Sequence, residues 1–270
     1  MVINNSALII LSGGQDSTTT LFWAKRYFGG DMHAITFDYG QRHRMEIDAA
    51  RTVAQLAGVK THEVIDVQGC LHSASPLTSN TELEKYDNYE QMEKVIGDRI
   101  ELTFVPMRNM FFFTVAMNRA VKLGIKNLVT GICQQDNANY PDCTDAFRQY
   151  FQDTANVSLG MKHDIYRVYA PLMHMSKAQT VLMAQEIPGC WEALAYTHTS
   201  YDGKYPPTDN NHSNVLRARG FEEAGLPDPL VVRAWREGLM AIPNTPNYRD
   251  FGTLGDLIGE PLSDKNERNA

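Results

Sequence analysis

The chain has 270 residues, 43% of them hydrophobic, which is the size expected for one α/β domain with a short appendage. Its formal charge of -7, from 25 Lys and Arg against 32 Asp and Glu, argues against tight binding to a nucleic-acid backbone and favours a small-molecule substrate. No apolar run approaches membrane-spanning length, the start does not resemble a signal peptide, and the 4 cysteines form no C-x-x-C pair. We therefore expect a cytoplasmic protein with reduced thiols.

Apolar stretches that alternate with helical patterns predict an α/β fold: a doubly wound parallel sheet of about five strands with helices on both faces. The predicted strands are residues 7–11, 33–37, 61–67, 127–130 and 165–169. Helical spacing of apolar residues predicts helices at residues 45–57 and 109–123, with weaker patterns at 143–157 and 177–185. Ligands of such sheets bind beyond the carboxyl ends of the strands, so polar motifs that follow the strands can converge on one rim.

Two stretches are predicted as irregular structure. Residues 71–101 have little periodicity and read as a long insertion or lid, and residues 196–214 form a second loop-like stretch with two adjacent prolines. We predict one domain over residues 1–230, followed by a C-terminal extension of helices and loops over residues 231–270.

The string S-G-G-Q-D-S-T at residues 12–18 directly follows the first predicted strand. A strand that enters a helix through a glycine turn leaves unpaired N–H groups, and these groups together with the helix dipole favour phosphate. Asp16 and Ser17 are predicted to cap the helix. The loop lacks the Walker lysine and the G-x-G-x-x-G spacing, so those nucleotide sites are not indicated. An ordinary glycine turn is the alternative to a phosphate site.

Polar side chains also follow the second strand. Tyr39, Gln41, Arg42 and His43 supply an aromatic face, an amide, a fixed cation and an imidazole within five positions. Their place at the rim of the sheet predicts contact with a ligand, although a solvated loop is the alternative.

Two cations stand at predicted helix starts. Arg108 has a planar fork that could clamp a carboxylate or phosphate, and a plain surface charge is its alternative role. Asn109, next to it, is expected to cap the helix. Lys177 is a candidate for neutralising charge on a pyrophosphate or a transferred phosphoryl group.

The string N-Y-P-D-C at residues 139–143 precedes another predicted helix. Asp142 could accept hydrogen bonds from a guanine-like edge or cap the helix, and Tyr140 could stack on the ring. Cys143 could be a nucleophile, but a small buried helix residue is its simpler interpretation.

Together these strings resemble the 7-cyano-7-deazaguanine synthase family of the PP-loop ATP pyrophosphatase superfamily. The matching strings are S-G-G-Q-D-S-T, F-D-Y-G-Q-R-H, F-V-P-M-R-N, N-Y-P-D-C, M-S-K-A and L-R-A-R-G-F-E-E-A-G-L-P-D-P-L. The resemblance implies an adenine nucleotide alpha hydrolase-like fold and an ATP-dependent carbon–nitrogen ligase. Such a ligase adenylates 7-carboxy-7-deazaguanine and uses ammonia to form an amide and then the nitrile, for queuosine in tRNA or for DNA modification.

The resemblance also implies roles for individual residues and partners. The residues expected to hold ATP phosphates are Leu11, Ser12, Gly13, Gly14, Gln15, Asp16, Ser17 and Thr18. The expected catalytic residues are Asp16, Ser17, Arg108 and Lys177. The expected substrate-binding residues are Tyr39, Gln41, Arg42, His43, Asn109, Tyr140, Asp142 and Cys143. ATP and Mg²⁺, a homodimer and no direct contact with nucleic acid are expected as well.

The chain departs from the family pattern at a zinc site. The positions of the four zinc-binding cysteines are occupied by Ser200, Thr208, Asn211 and Asn214, so we expect no zinc. A weaker alternative site would use His198, Asp202, Asp209 and His212. Met107 replaces the usual glycine and Thr144 the usual arginine, and both are expected to reshape the substrate pocket.

These departures leave three functions open. The chain could make the nitrile, or it could stop at the amide. It could also join the activated base to an amine other than ammonia. Finally, it could be a non-catalytic nucleotide-binding partner subunit, although the intact polar motifs argue against decay.

Overall fold

The computed structural model of the chain describes residues 5–40, 45–79, 82–134, 139–162, 164–200, 203–254 and 258. At its centre lies a parallel sheet of five strands in the order β3-β2-β1-β4-β5. The strands are β1 (Ala7–Ile10), β2 (Met32–Asp38), β3 (Thr61–Asp66), β4 (Asn127–Val129) and β5 (Arg167–Tyr169). All five predicted strands are confirmed, with small shifts at their ends.

Helices connect and cover these strands. They are α1 (Gln15–Phe28), α2 (Met45–Ala57), α3 (Tyr89–Ile96), α4 (Arg108–Leu123), α5 (Asp145–Ser158), α6 (Lys177–Glu186), α7 (Cys190–Leu194), α8 (His212–Glu223), α9 (Pro229–Arg236) and α10 (Pro246–Arg249). None of the helices described is long and apolar enough to cross a membrane.

The sheet is covered on both faces, which confirms the doubly wound fold. Ile9 of β1 packs in a buried cluster with residues of α1, α2, α6 and α7. Its neighbour Leu8 points the other way, into a cluster with residues of α4 and α5. Successive side chains of a strand face opposite sides, so apolar runs such as β1 are buried on both faces.

The start of α1 differs from the prediction. Gly14, in an extended conformation, occupies the N-cap position of α1, and no side-chain hydrogen bond caps the helix there. The predicted capping by Asp16 and Ser17 is therefore wrong. Both residues lie inside the first turn. The Ser17 hydroxyl instead donates to the carbonyl oxygen of Gly14 at 3.2 Å and lies 3.0 Å from the Ser12 hydroxyl. These contacts hold the glycine turn against its own helix.

The starts of α4 and α5 also correct the prediction. Met107, not Asn109, occupies the N-cap position of α4, and its side chain makes no capping hydrogen bond. Its φ of 65° lies in the left-handed region that favours glycine. The Met107 side chain is 64% exposed, so it does not fill a pocket. Thr144, not Asp142, caps α5 by accepting a hydrogen bond from the Phe147 N–H at 3.2 Å. The residues before it, Pro141–Cys143, form a single 3₁₀ turn.

Residues 71–101, predicted as irregular, contain a helix that the sequence pattern did not reveal, whereas the described residues of 196–214 are irregular, as predicted, until α8 begins at His212. Within 71–101 the helix α3 begins after Asn88, whose side chain caps it, and buries Met92 and Ile96 beside Leu216 of α8. Near the C-terminus Val232 and Tyr248 pack with Ala195 in a separate small cluster. The predicted division at residue 230 stays a prediction.

Candidate active site

One cavity of about 320 Å³ lies where the strand order reverses, between the carboxyl ends of β1 and β4. Its walls come from the loop after β1, the ends of β2 and β4, and the first turns of α1, α2, α4, α6 and α8. Open α/β sheets bind their ligands at this place, because the loops on either side diverge there. The fold therefore brings most of the polar motifs together.

Two glycines allow the close packing around the loop after β1. Gly13 has a φ of 86°, and an added Cβ would lie 2.4 Å from the main-chain oxygen of Glu46 and 2.7 Å from the nitrogen of Ala50. On the other side, a Cβ on Gly131 would lie 2.9 Å from the nitrogen of Ser17. Since real Cβ atoms do not approach so closely, both positions require glycine. The loop is thus held between α2 and the segment after β4.

The predicted phosphate loop lies largely at the cavity. Its lining residues are Leu11, Ser12, Gly14, Gln15, Asp16 and Ser17. Gly13 faces α2 instead, and Thr18 is fully buried, with a hydroxyl that has no partner among the described atoms. The amide nitrogen of Gln15 is also buried without a described partner, and its residue lines the cavity. A buried donor of this kind favours a ligand that accepts a hydrogen bond.

Lys177 reaches the loop from a remote part of the chain. Its Nζ lies 2.9 and 2.8 Å from the two carboxylate oxygens of Asp16, and the lysine is only 9% exposed. Ser176 fixes the start of α6 with a capping box. Gly220 of α8 lets that helix pack on the lysine, since a Cβ there would lie 2.2 Å from the Lys177 Cγ. The ammonium group is therefore directed at the helix that follows the phosphate loop.

Arg108 supplies a second cation to the cavity. Burial opposes its charge, but the phenols of Tyr39 and Tyr140, the Cys143 thiol and the Asp142 carboxyl raise its pKa above the ordinary value. No hydrogen bond to its guanidinium comes from the residues that the structure describes. A half-buried guanidinium of this kind can bind a carboxylate or phosphate through its fork.

The remaining predicted substrate residues fall into three groups. Those that line the cavity are Tyr39, Asn109, Tyr140 and Cys143. Gln41, Arg42 and His43 lie outside the described residues. Asp142 is buried but does not line the cavity.

The Asp142 carboxylate faces α4. Its Oδ2 accepts the Asn109 N–H at 3.3 Å, and the Asn109 side chain donates to the Asp142 carbonyl at 3.1 Å and to the Cys143 sulfur at 3.3 Å. Burial raises the pKa of Asp142, while Arg108 acts in the opposite direction. In this arrangement Asp142 positions the first turn of α4, including Arg108.

The cavity also contains titratable and charged residues that were not among the predicted ATP-binding, catalytic or substrate-binding residues. Burial raises the pKa of Glu46 to about 7, although Arg108 lowers it. Burial and then Lys177 lower the pKa of His212 to about 4. His198 and Arg217 complete the set. The sequence signal for Glu46 was only its place in the first turn after a polar motif. Arg217 belongs to the string L-R-A-R-G-F, and His198 and His212 were considered only as ligands of the weaker zinc site.

The positions of the missing cysteines do not form a zinc site. Asn211 caps α8, and the Asn211 and Asn214 side chains both donate to the Asp209 carboxylate, Asn214 at 2.6 Å. Thr208 is exposed, and Ser200 accepts the Lys204 N–H at 3.2 Å. Across the described residues, from which Asp202 is missing, no group of three His, Cys, Asp or Glu could hold a metal. Oxygen and amide groups that bond one another do not fit tetrahedral zinc.

Fold and site together define a doubly wound α/β protein whose cavity lies where the strand order reverses. The chain belongs to the family described as Queuosine biosynthesis protein QueC, whose sequence profile matches residues 6–225.

Individual relatives and one solved structure are similar to the chain to different degrees. A 7-cyano-7-deazaguanine synthase of Chromobacterium violaceum is 43% identical over 87% of this chain and 96% of its own. One from Laribacter hongkongensis is 45% identical over 84% of this chain and 94% of its own. A solved structure, the U34-tRNA thiolase NcsA from Methanococcus maripaludis, has a TM-score of 0.41 and 16% identity over 88% of this chain and 72% of its own. No conclusion rests on that distant likeness.

Proposed function

We propose that the protein is an ATP-dependent ligase that converts 7-carboxy-7-deazaguanine and ammonia into 7-cyano-7-deazaguanine. Two relatives that are named for this product and are 43% and 45% identical to the chain support the proposal. The observation that carries it is one cavity in which the glycine loop after β1, the Lys177–Asp16 pair and the Arg108 guanidinium meet.

The reaction needs activation of a poor electrophile. A carboxylate does not react with ammonia unless one of its oxygens becomes part of a good leaving group, and transfer of AMP provides that group. The catalyst must hold the α-phosphate in line with the attacking carboxylate and must stabilise the departing pyrophosphate. Loss of AMP to ammonia gives the amide, and a second transfer of AMP to the amide oxygen leads to the nitrile.

The polar residues of the cavity suit these tasks. Residues Leu11 to Thr18 would hold the phosphates with main-chain N–H groups and the hydroxyls of Ser12 and Ser17. Lys177 would stabilise charge on the pyrophosphate, with Asp16 directing it. Arg108 would bind the substrate carboxylate before its adenylation.

Magnesium would arrive with ATP. Mg²⁺ commonly uses one or two protein carboxylates together with substrate phosphates and water, and Asp16 is a carboxylate of the cavity that suits this. When bound, Mg²⁺ supplies positive charge that offsets the phosphates. The cavity agrees with such a site because it offers few protein carboxylates, and Mg²⁺ would take its other ligands from phosphates and water.

The base would lie against the aromatic side of the cavity. Tyr39 and Tyr140 offer faces for stacking, and Asn109 and Cys143 lie beside Arg108. Gln41, Arg42, His43 and Asp142 stay in the proposal as the other substrate-binding residues.

The test combines the protein with MgATP, ammonium and 7-carboxy-7-deazaguanine, and follows the products by mass spectrometry. We expect the nitrile together with AMP and pyrophosphate. Amide alone would favour a ligase that stops at the first stage. An ATP-dependent adduct with another amine would favour a different acceptor, and the absence of AMP would favour a non-catalytic subunit.

We also propose that the protein forms a homodimer, acts in the cytoplasm and makes no direct contact with nucleic acid. The family resemblance supports the dimer, the use of ATP supports the location, and the charge of -7 supports the absence of nucleic-acid binding. Light scattering on a chromatography column would contradict the dimer if it gave the mass of a single chain.

A further inference from the structure

Glu46 is an acid in the wall of the cavity to which the roles above assign no task. It lies in the first turn of α2, and its main-chain oxygen rests against Gly13 of the phosphate loop. Its half-buried side chain lines the cavity together with Arg108, Tyr39 and the Asp16–Lys177 pair. Within the described part of the chain, no hydrogen bond or ion pair reaches its carboxyl group. Its side chain therefore lies where it can contact a ligand next to the phosphates.

The surroundings of Glu46 make it a stronger base than an ordinary carboxylate. Burial raises its pKa from 4.5 to about 7, and the opposing effect of Arg108 keeps the ionised form accessible near neutral pH. A group whose pKa lies close to the working pH is well suited to proton transfer, because it is both present as a base and strong enough to act as one. Its carboxylate would also attract a small cation into the cavity.

Other titratable groups of the cavity suit this task less well. Both carboxylate oxygens of Asp16 are bound by Lys177. The pKa of His212, at about 4, leaves it a weak base. The Nε2 of His198 lies 2.7 Å from the carbonyl oxygen of Ser200 and is therefore engaged. Among the described residues, Glu46 is the acid–base group with both the freedom and the strength to take a proton.

We propose that Glu46 is a catalytic residue that binds the ammonium ion and accepts its proton. This inference rests on the proposed function. The ion gives one proton to the carboxylate, which becomes a neutral carboxyl group, and leaves ammonia. The nitrogen lone pair then forms a bond to the acyl carbon, while the bond from that carbon to the AMP oxygen breaks. AMP leaves with the electron pair and takes the second proton from nitrogen, and Glu46 returns its proton to water.

The test separates activation of the acid from delivery of the nitrogen. Substrate-dependent exchange between ATP and labelled pyrophosphate reports adenylation without any nucleophile. Formation of the amide from ammonium is then measured and, separately, formation of the hydroxamate from hydroxylamine, a weaker base that is largely unprotonated at neutral pH. The variants are Glu46→Gln, Glu46→Asp and, as a matched control on the same helix, Asp48→Asn, whose exposed carboxylate pairs with Arg51.

For Glu46→Gln we expect a rate of ATP–pyrophosphate exchange within about threefold of that of the unaltered protein. The rate of amide formation from ammonium should fall by about 10²–10⁴-fold. The hydroxylamine reaction should keep most of its rate, Glu46→Asp should be intermediate, and Asp48→Asn should behave as the unaltered protein.

Other results would overturn the inference. An unchanged ammonium reaction in Glu46→Gln would show that no proton passes to this residue. An equal loss of exchange and of both nucleophile reactions would assign Glu46 to binding of the base or ATP. Absence of exchange in the unaltered protein would instead remove the proposed function, and this inference with it.

Discussion

Lys177 reaches the phosphate loop over a separation of 161 residues and binds both oxygens of Asp16. Because the lysine is buried and its charge is directed at the loop, we predict that Lys177→Met lowers the rate of pyrophosphate release by about 10²–10³-fold, as expected for a group that stabilises developing charge. The exposed Lys122→Met on α4 is the control and should keep full activity. An unchanged rate in Lys177→Met would remove Lys177 from the catalytic residues.

Glu46 should affect stability as well as rate. Its pKa is raised in the folded protein, so the folded state resists its ionisation. The free-energy cost of ionising Glu46 in the folded protein is absent below the pKa that the residue has in the unfolded chain. This cost grows as the pH rises and is complete above about pH 7. We therefore predict that Glu46→Gln raises the melting temperature at pH 8 but changes it little at pH 4, as measured by calorimetry. A gain at pH 4 that equals the gain at pH 8 would contradict this origin.

Some site residues are visible in the sequence because the signal is local. The strand, glycine turn and helix around Ser12 to Ser17 lie within a dozen residues, so their pattern predicts where the loop would be. Glu46 and His212 have no such signal, because their place at the cavity depends on how α2 crosses Gly13 and how α8 packs on Lys177. The capping role assigned to Asn109 was wrong for a similar reason, since Asp142 and Cys143 hold its side chain.

The contact between α6 and α8 depends on one glycine. Alanine is ordinarily better than glycine inside a helix by about 0.5–1 kcal/mol, but a Cβ on Gly220 would meet the Lys177 Cγ at 2.2 Å. We predict that Gly220→Ala lowers the free energy of unfolding by about 1–3 kcal/mol, the usual cost of overpacking. It should also slow pyrophosphate release, because Lys177 is displaced.

Denaturation in urea and the rate of pyrophosphate release measure the two effects of Gly220→Ala. Gly252→Ala is the matched control, since an added Cβ there meets nothing within 4 Å. A higher free energy of unfolding in Gly220→Ala would contradict the prediction, because it would show that α8 can shift away from Lys177 without cost.

The strands and the helices with strong periodicity were predictable, and the short helices were not. The strands and α2 follow from apolar patterns that tertiary packing reinforces on both faces of the sheet. The helix α3 has 8 residues and owes its place to its cap Asn88 and to the contact of Met92 and Ile96 with α8. Helices this short are marginal alone, so their sequence pattern is weak. The C-terminal helices α9 and α10 were predicted only as a mixed extension for the same reason.

Across the whole molecule, Arg217 links the segment that precedes the C-terminal helix α9 to the wall of the cavity. It is 3% exposed, binds the Asp228 carboxylate through two nitrogens at 2.6 and 2.8 Å, and donates to the hydroxyls of Thr197 and Thr199 at 2.8 and 2.9 Å. Removing one partner of a buried pair leaves an uncompensated charge. We predict that Arg217→Met lowers the free energy of unfolding by about 3–5 kcal/mol.

Urea denaturation measures this loss. The exposed pair of Arg249 and Asp250 provides the control, because Arg249→Met should cost only about 0–1 kcal/mol. Equal effects of the two substitutions would mean that Arg217 is not a structural link.

In the proposed reaction AMP is placed first on the carboxylate oxygen and then on the amide oxygen of one deazaguanine base. The most direct test uses 7-carboxy-7-deazaguanine whose carboxylate contains heavy oxygen, with ammonium and unlabelled MgATP. We expect two AMP molecules for each nitrile, each with one heavy oxygen, because each carboxylate oxygen departs on a phosphate. Formation of ADP, or of AMP without the label, would contradict it.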